Sequence, residues 1–507
     1  MIRGLTDEEQ KLHAEMRAQI QAKYERNKLK LDYYDMKQRL DYVGFSIPDE
    51  LKDIEAVVGW AAKAVNVPAS RIRRTGFTGP QRLGVLSDLE EIETATDFAY
   101  KEKLAQHAAG QTSCSFTFFT PGDTAKSEPE VITSVRDSTT ATALMDPRTH
   151  RVTAALEVVS RTAHLMYLPG ITLLLERRQN MWVVADDYAT GTNRVRCTPY
   201  MWLPELRKPF GSARINRAVM RHIDRAIRTI LRQEVTADHY SAPRGVLEDA
   251  HSGAFFDKDG KRIDPMRAIG AIWGIPAYRD QETGDLRVPS FKQVNQASFQ
   301  PHSELIRTIA MNFHAETDIP LGQLGVVQDN PSSADAIRAA EDGLIALCGD
   351  QAENFSRSAK DAAMNLLSFN ASDAELVSIS KDMAKVRPKY ANPATPTPGA
   401  QADAGMKFVS AFPQLAKTDI ALERFGLDPD EVQRALEYIQ AQDGQSALQL
   451  ALERASTQPQ GSAGKVLNPF EEQKLKAETL AQLRAAGVTP ESAAKIVGLA
   501  GVEFETQ

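Results

Sequence analysis

The amino-acid sequence predicts an α+β fold in which helical regions surround one β-rich unit. Apolar residues recur at every fourth position in several segments, which is typical of amphipathic helices. Short β-branched and aromatic runs, separated by turn residues, are confined to residues from about 112 to 201. Proline-rich and glycine-rich segments then separate the helices of the C-terminal part. Since 507 residues exceed the roughly 250–300 at which a single core stops growing, several structural regions are expected.

The N-terminal region is predicted to be mainly helical. Apolar residues at i+4 spacing predict one helix over residues 7–38. A second helix is expected over residues 48–67, and Pro68 is expected to end it because proline disfavours helix in the preceding residue.

The β-rich unit follows. Asp146-Pro147, Pro169-Gly170 and Gln179-Asn180 punctuate its runs at the 8–12-residue spacing of antiparallel strands. The three cysteines of the chain, Cys114, Cys197 and Cys348, are widely spaced and odd in number, which favours buried thiols over a disulfide framework.

The clearest helix is predicted to follow Ser212, which stands where an N-cap belongs. Its apolar residues keep an unbroken i+4 spacing: Ile215, Val219, Ile223, Ile227 and Leu231. Its opposite face is cationic and carries Arg217, Arg221, Arg225, Arg228 and Arg232. This face is either solvated and salt-bridged or in contact with a phosphate backbone or an acidic neighbouring subunit.

A small mixed α/β insertion is expected over residues 237–300, between this helix and a second one that begins at Pro301 and stops near Pro320. The segment Leu321–Asn330 has two glycines and no helical period, so it is predicted to be an ordered loop. Ser332 or Ser333 then caps a long helix that reaches about Phe369.

Proline-dense residues 387–398 are predicted to form a spacer. Helices are expected from about 400 to 454, followed by a Ser-, Gln- and Gly-rich linker and a small helical tail.

Composition excludes several classes of protein. No apolar run approaches the roughly 18–20 residues that span a bilayer, and the N-terminus has no apolar leader, so neither a membrane protein nor export is expected. A net charge of −7 argues against a protein that coats nucleic acid through a broad basic surface.

Motifs of catalysis and cofactor binding are missing from the sequence. There is no GxxxxGK[ST], GxSxG, HExxH, GxGxxG or CxxC, and the nine histidines are scattered. No catalytic residue, cofactor or metal ligand is therefore predicted.

Three segments together carry a resemblance to a known family. The run from Lys208 to Ile215, the segment FHAETDIPLGQLG from Phe313 to Gly325, and the stretch from Asn330 to Ile337 resemble portal proteins of tailed bacteriophages, of siphophage type and especially of actinobacterial phages. The similarity covers roughly residues 33–426, and the order and separation of the motifs make it specific.

The resemblance implies a structural, non-enzymatic protein of the virion, present in the host cytoplasm during assembly. It implies a homo-oligomeric, dodecameric ring at one capsid vertex, through which double-stranded DNA passes without sequence specificity during packaging and ejection. The implied partners are the terminase large subunit, a head-tail adaptor, and the major capsid and scaffolding proteins.

Portal proteins are built from a wing, a stem, a clip, a tunnel loop and a crown. By resemblance these map onto a β-rich and helical wing (1–210), two stem helices (211–235 and 301–319), a small α/β clip (236–300), a tunnel loop (320–332), a long helix that braces the channel (333–369), a helical crown (370–455) and a tail (456–507). The tunnel loop would face DNA through Gln323, Gln328, Asp329 and Asn330, whose side chains offer no strong attraction to phosphate. A purely structural turn is the alternative for this loop.

Two other functions remain open from the sequence. One is a head-tail connector or minor capsid protein that has no channel of its own. The other is a metal-dependent nuclease or hydrolase that uses scattered acidic residues and histidines.

Overall fold

The computed structural model describes residues 2–40, 56–80, 84–240, 245–251, 256, 260–262, 277–280, 282–293, 298–326, 334–394, 398–428 and 431–442. The chain divides into two compact units, Met1–Ala394 and Thr395–Gln507. Both helices and strands are abundant, which confirms the mixed fold that the sequence predicts.

The helices of the first unit are α1 (Asp7–Tyr34), α2 (Trp60–Arg71), α3 (Gly84–Thr96), α4 (Phe98–Thr112), α5 (Arg217–Tyr240), α6 (Gln300–Thr317), α7 (Ala334–Leu367) and α8 (Asp373–Met383). The second unit contains α9 (Pro398–Ala411), α10 (Asp419–Arg424) and helical residues 431–442. The strands are β1 (Arg3–Gly4), β2 (Arg74–Thr78), β3 (Cys114–Pro121), β4 (Val131–Asp137), β5 (Ala141–Met145), β6 (Val152–Val158), β7 (Ala163–Leu168), β8 (Ile171–Arg178), β9 (Met181–Ala189), β10 (Cys197–Met201), β11 (Gly245–Glu248), β12 (Tyr278–Arg279), β13 (Leu286–Arg287), β14 (Ser290–Gln293) and β15 (Arg387–Tyr390).

Strands β3 to β10 confirm the predicted β-rich unit. Six antiparallel strands form one sheet in the order β1-β9-β8-β7-β6-β5, and a smaller sheet has the order β10-β3-β4. Successive residues of a strand point to opposite faces. Tyr167 accordingly stacks on Phe118 of the smaller sheet, with ring centroids 4.7 Å apart, whereas Met166 packs with Met16 of α1 on the other face.

A histidine pair adds a polar contact between α1 and the larger sheet. His13 and His164 are both buried, and their Nε2 and Nδ1 atoms are 2.9 Å apart. The ring of His164 also stacks on Trp182, with centroids 4.1 Å apart. The first helix is therefore fixed to the sheet by aromatic and hydrogen-bonding contacts as well as by apolar packing.

The prediction that the second helix ends before Pro68 is wrong, because α2 continues through Pro68 to Arg71. Residues 41–55, in which this helix is predicted to begin, lie outside the described residues. Proline has no N–H to donate to the carbonyl of Ala64 one turn earlier. The Nε of Arg214 donates to that carbonyl instead, at 3.0 Å, so a distant side chain satisfies the oxygen that proline leaves free.

The predicted cap at Ser212 is also wrong. Helix α5 begins at Arg217, and the side-chain oxygen of Asn216 accepts a hydrogen bond from the N–H of Val219 at 2.9 Å. Ser212 lies in an irregular segment instead, where its N–H donates to the Trp202 carbonyl at 2.8 Å and its hydroxyl oxygen accepts from Lys208 at 3.2 Å. The predicted apolar stripe is confirmed, and its members are buried: Ile215, Val219, Ile223, Ile227 and Leu231.

The predicted second stem helix and long helix correspond to α6 and α7. The three cysteines are buried free thiols, as expected. The proline-dense segment differs from its prediction at its start, where Arg387–Tyr390 pairs antiparallel with Arg74–Thr78. Pro388 is tolerated there because this sheet has two strands, so each has an edge that needs no donor.

Candidate functional site

Helices α5 and α6 pack against each other in opposite directions. The Asn216 amide, just before α5, donates to Glu316 near the end of α6 at 3.0 Å, while the Thr236 hydroxyl lies 3.3 Å from His302 near the start of α6. Their apolar faces share one buried cluster, which includes Phe313. The insertion between the helices therefore leaves from one end of the pair.

Two strands close the insertion where it leaves the helix pair. Gly245–Glu248 pairs antiparallel with Ser290–Gln293, and Lys292 forms an ion pair with Glu248 at 2.5 Å. A second, shorter pair joins Tyr278–Arg279 to Leu286–Arg287. The outer pair of strands, β11 and β14, thus begins and ends within a few residues of the two helices.

The chain turns sharply after α6. Asp318 adopts a left-handed conformation, with φ of 57°, and its N–H donates to the His314 carbonyl at 2.7 Å. The Nδ1 of His314 donates to the carbonyl of buried Ile319 at 2.8 Å. Helix α6 is thus ended by a capped turn before Pro320, where the sequence predicts its end.

The predicted tunnel loop is described only in its first part. Leu321–Leu324 forms one 3₁₀ turn with Leu324 buried, and Gly325 follows with φ of 82°. Gln323 lies in this turn and is half-buried. Gln328, Asp329 and Asn330 lie outside the described residues, so the structure does not place them beside Gln323.

The long helix α7 lies close to the turn at Asp318. Gly343 of α7 lies so near the turn that an added Cβ would be 2.9 Å from the carboxylate of Asp318. Arg71 of α2 forms an ion pair with Glu341 of α7 at 2.8 Å. Helix α7 therefore passes close to the C-terminal end of α6.

The five predicted stem arginines lie within one arc of α5. Arg217, Arg221 and Arg225 are exposed, and Arg228 and Arg232 are half-buried. Arg221 contacts the buried carboxylate of Asp224 at 3.2 Å, and Tyr33 donates to the same carboxylate at 2.7 Å. The other four arginines form no ion pair within the described residues, and two of them, Arg217 and Arg225, are exposed to solvent.

Buried arginines that the sequence analysis missed position the long helix and the α5 start. Arg196 is 1% exposed and donates to the carbonyls of Asn365, Ser368 and Phe369 at 2.7–3.1 Å. Its charge stabilises the C-terminal end of α7, where carbonyls lack helical partners. Burial lowers the pKa of Arg196 to about 10, which leaves it charged at neutral pH.

Arg214 has a similar role for two other helices, α2 and α6. Besides Ala64, it donates to the carbonyl of Thr317, the last residue of α6. It lies in the run from Lys208 to Ile215, which carries part of the family resemblance. Gly211 of the same run has φ of 76°, and an added Cβ would be 2.2 Å from the Trp202 carbonyl. The run from Lys208 to Ile215 is therefore recognisable in the sequence. Arg214 and Gly211 in this run serve packing and hydrogen bonding inside the fold, and not a chemical reaction.

Neither a metal centre nor a membrane-spanning helix occurs within the described residues. No group of three or more His, Cys, Asp or Glu side chains is placed to hold a metal ion. No described helix is both long enough and apolar enough to cross a membrane.

Known proteins were compared with the chain as a whole. No family model matches it. The portal protein of Mycobacterium phage L5 is 24% identical over 395 residues, which cover 74% of this chain and 77% of the relative. The portal protein of Mycobacterium phage D29 is 24% identical over 396 residues, with the same coverage. Among solved structures, a chain from the virion of a native gene transfer agent particle is 12% identical, with a TM-score of 0.38 over 73% of this chain and 90% of that chain.

The two phage relatives carry the name of a structural component, which confirms the expectation of a non-enzymatic role. Their source also confirms the actinophage character that the motifs indicate. The chain is therefore similar to the portal proteins of actinobacterial phages, as the order of its sequence motifs predicts.

Proposed function

We propose that this chain is the subunit of a dodecameric portal ring, which forms the channel for phage DNA at one capsid vertex. The observation that carries the proposal is the antiparallel pair α5 and α6, with an insertion that leaves it through a pair of strands at one end and a capped turn after α6 at the other. Such a pair can form the wall of a ring, with its two ends presented to different partners.

In this proposal α5 and α6 form the stem, and the insertion of residues 236–300 forms the clip. The clip would dock the terminase large subunit and the head-tail adaptor, because it leaves the helix pair at one end only. The β-rich N-terminal part would form the wing, against capsid and scaffolding proteins. Residues 370–455 would form the crown.

The overall acidity of the chain supports loose passage of DNA. A net charge of −7 gives few phosphate contacts per subunit, so duplex DNA would slide without being held. Gln323, Gln328 and Asn330 can exchange hydrogen bonds with phosphate or water, without the strong attraction of lysine or arginine.

The oligomeric state tests the proposal most directly. Purified full-length protein would be measured by light scattering across concentration and salt, and imaged by negative stain down the ring axis. Closed rings with a central hole are expected. A strictly monomeric protein would exclude the channel, and a closed assembly without a hole would favour a connector that has no channel of its own.

The clip assignment has a separate test. Residues 241–297 would be replaced by a short Gly/Ser linker, and binding of the adaptor measured in a pull-down. Rings should still form while adaptor binding is lost. Undiminished binding would contradict the assignment.

The tunnel loop is tested by adding charge. Gln323→Arg and Gln328→Arg would be made separately, with Gln10→Arg on exposed α1 as the matched control. We expect slower packaging and ejection in particles that carry either loop variant, because arginine attracts phosphate. Wild-type rate and extent in both, with intact rings, would show that the loop does not approach DNA.

A further inference from the structure

A cleft of about 770 Å³ lies between α1 and the segment that precedes α5. Lys23, Arg26 and Lys30 line it from one face of α1, since they follow one another at i+3 and i+4. Arg207 and Lys208 line it from the opposite side, in a tight turn closed by paired backbone hydrogen bonds between Glu205 and Lys208. Five cationic side chains thus surround one concave space, and buried Arg214, which donates to the carbonyls of Ala64 and Thr317, is a sixth cation in its lining.

The charge of the cleft is opposite to that of the chain. Only two carboxylates, Glu205 and Glu316, line it, and Glu316 already accepts a hydrogen bond from Asn216. Glu205 lies 3.9 Å from Lys208. Lys23, Arg26 and Arg207 have no ion-pair partner within the described residues. In a protein with a net charge of −7, this concentration of unpaired cations requires a local explanation.

Lys30 is the most unusual of these cations because it is buried. Lys30 is 8% exposed. Its ammonium group donates to the Asn27 amide oxygen at 3.2 Å and to the Thr112 carbonyl at 3.3 Å. Both acceptors are neutral. Burial, with the nearby charges of Arg26 and Lys23, lowers the pKa of Lys30 to about 8. A buried cation without a carboxylate costs stability, and an incoming anion would offset that cost.

The remaining lining is apolar. Ile20, Phe116 and Phe210 contribute to the cleft, and the Lys23 ammonium lies 5.8 Å from the centroid of the Phe210 ring. Apolar surface beside cations fits a polypeptide that carries both carboxylates and an apolar side chain. It does not fit a nucleic-acid backbone, whose phosphates are spaced along a stiff duplex and cannot reach a buried ammonium.

We propose that this cleft binds an acidic polypeptide segment of a partner protein, with an apolar side chain seated between carboxylates that contact Lys23, Arg26 and Lys30. The turn at Arg207 and Lys208 closes over the segment from the opposite side. The binding is independent of the ring channel, so it can be tested whether or not the protein forms rings.

The test uses full-length protein and a fluorescein-labelled probe peptide with the core Glu-Glu-Phe-Glu-Glu, followed by fluorescence anisotropy. A peptide with glutamine at every glutamate position is the probe control. We expect the acidic peptide to bind at least about tenfold more tightly, since charge-assisted hydrogen bonds are stronger than neutral ones. Equal binding of the two peptides would overturn the proposal.

Three variants locate the binding. Lys30→Met keeps the length of the side chain and removes the charge, and we expect about tenfold weaker binding of the acidic peptide. The double change Lys23→Gln and Arg26→Gln affects exposed residues only. It should also weaken binding of the acidic peptide, and it tests the proposal if Lys30→Met does not fold. Lys28→Gln is the matched control, because Lys28 is exposed on the opposite side of α1. A loss in the control as large as in the cleft variants would contradict the proposal.

Competition distinguishes the other occupants. Excess duplex DNA of about 20 base pairs should not displace the peptide at physiological salt, and displacement that requires Lys30 would assign the cleft to nucleic acid. Peptide binding should be the same for monomers and rings separated by size. Binding that is lost on ring formation would assign the cleft to a second copy of the chain and overturn the partner proposal.

Discussion

Helices α5 and α7 are both buried along one face, but polar side chains at regular spacing occur on the buried face of α7. The buried face of α5 is mainly apolar and includes Ile223, Ile227 and Leu231. Within α7 the buried polar residues are Gln351, Ser358 and Asn365, and Ser368 directly follows the helix; each is at most 4% exposed. Each of these side chains has a defined hydrogen-bond partner, such as Ser358 with the Pro199 carbonyl at 2.7 Å.

The difference shows that two kinds of packing position the parts of this molecule. Apolar burial is non-directional, so the α5 and α6 pair should tolerate changes of shape that keep volume. Hydrogen bonds are directional, and an unmade bond in a buried site costs more than a made bond contributes. The docking of α7 should therefore be intolerant even of conservative changes.

The largest effect is expected from a cavity in the apolar pair. Phe313→Ala should lower the free energy of unfolding by roughly 3–5 kcal/mol, because Phe313 is fully buried between α6, α5 and Trp60. Phe313→Leu is the matched control and should cost much less. Chemical denaturation of both variants checks this, and an equal loss would show that the pair depends on aromatic geometry and not on filled volume.

A conservative substitution in the polar docking should cost nearly as much. Arg196→Lys keeps the charge, but one ammonium cannot reach the carbonyls of Asn365, Ser368 and Phe369 together. We expect a loss of about 3 kcal/mol, since each buried group left unsatisfied costs about 1–3 kcal/mol.

Ile227→Leu provides the contrast on α5 and should cost less than about 1.5 kcal/mol. Equal losses for Arg196→Lys and Ile227→Leu, measured under the same denaturation conditions, would remove the distinction between the two faces.

The same contrast explains how much of the fold could be predicted from the sequence. The α5 stripe was predicted residue by residue, because apolar residues at i+4 spacing have one physical interpretation. The buried polar residues of α7 also recur at helical spacing, but polar residues on one helix face usually face solvent. The partners that make it a buried face, Arg194 and Arg196, come from residues more than 150 positions earlier.

In the candidate site, too, features set by local sequence could be predicted and features set by distant residues could not. The end of α6 near Pro320 and the turn after it follow from local rules, and both were predicted. The cap of α5 at Asn216 was missed, because the chain from Ser212 to Arg214 is held in an irregular path by the carbonyls of Trp202 and Gly110, which no local pattern reveals. The cationic cleft was missed for a similar reason, since α1 and the turn at Arg207 are separated by the whole β-rich unit.

Acid should weaken a third polar contact, the histidine pair between α1 and the larger sheet. Burial lowers the pKa of His13 and His164 from 6.5 to about 4, so the folded protein keeps both neutral while the unfolded chain takes up protons near pH 6.5. The stabilisation is therefore complete above pH 6.5 and is lost as the pH falls toward 4.

Because the unfolded chain takes up a proton at each histidine over this range while the folded pair stays neutral, we expect a loss of roughly 2 kcal/mol for each of the two histidines between pH 7 and pH 5. Unfolding free energies at several pH values check this. His150→Asn, at an exposed position, should leave the profile unchanged. A profile of the wild-type protein that is flat from pH 7 to pH 5 would contradict the buried neutral pair.

The smallest effects are expected on the exposed side of α5, where side chains are in contact with solvent. Arg221→Gln removes one of two contacts to the buried carboxylate of Asp224, but Arg221 is 68% exposed, so screening limits the loss to about 1 kcal/mol or less. Arg225→Gln removes a charge with no ion-pair partner among the described residues and should change stability by less than about 0.5 kcal/mol.

Because neither change should unfold the protein, any effect of Arg225→Gln on ring assembly or on DNA packaging would report a contact that the arginine makes outside its own subunit. A loss of stability from Arg225→Gln as large as that from Arg221→Gln would instead place the cationic face in the internal packing of the subunit.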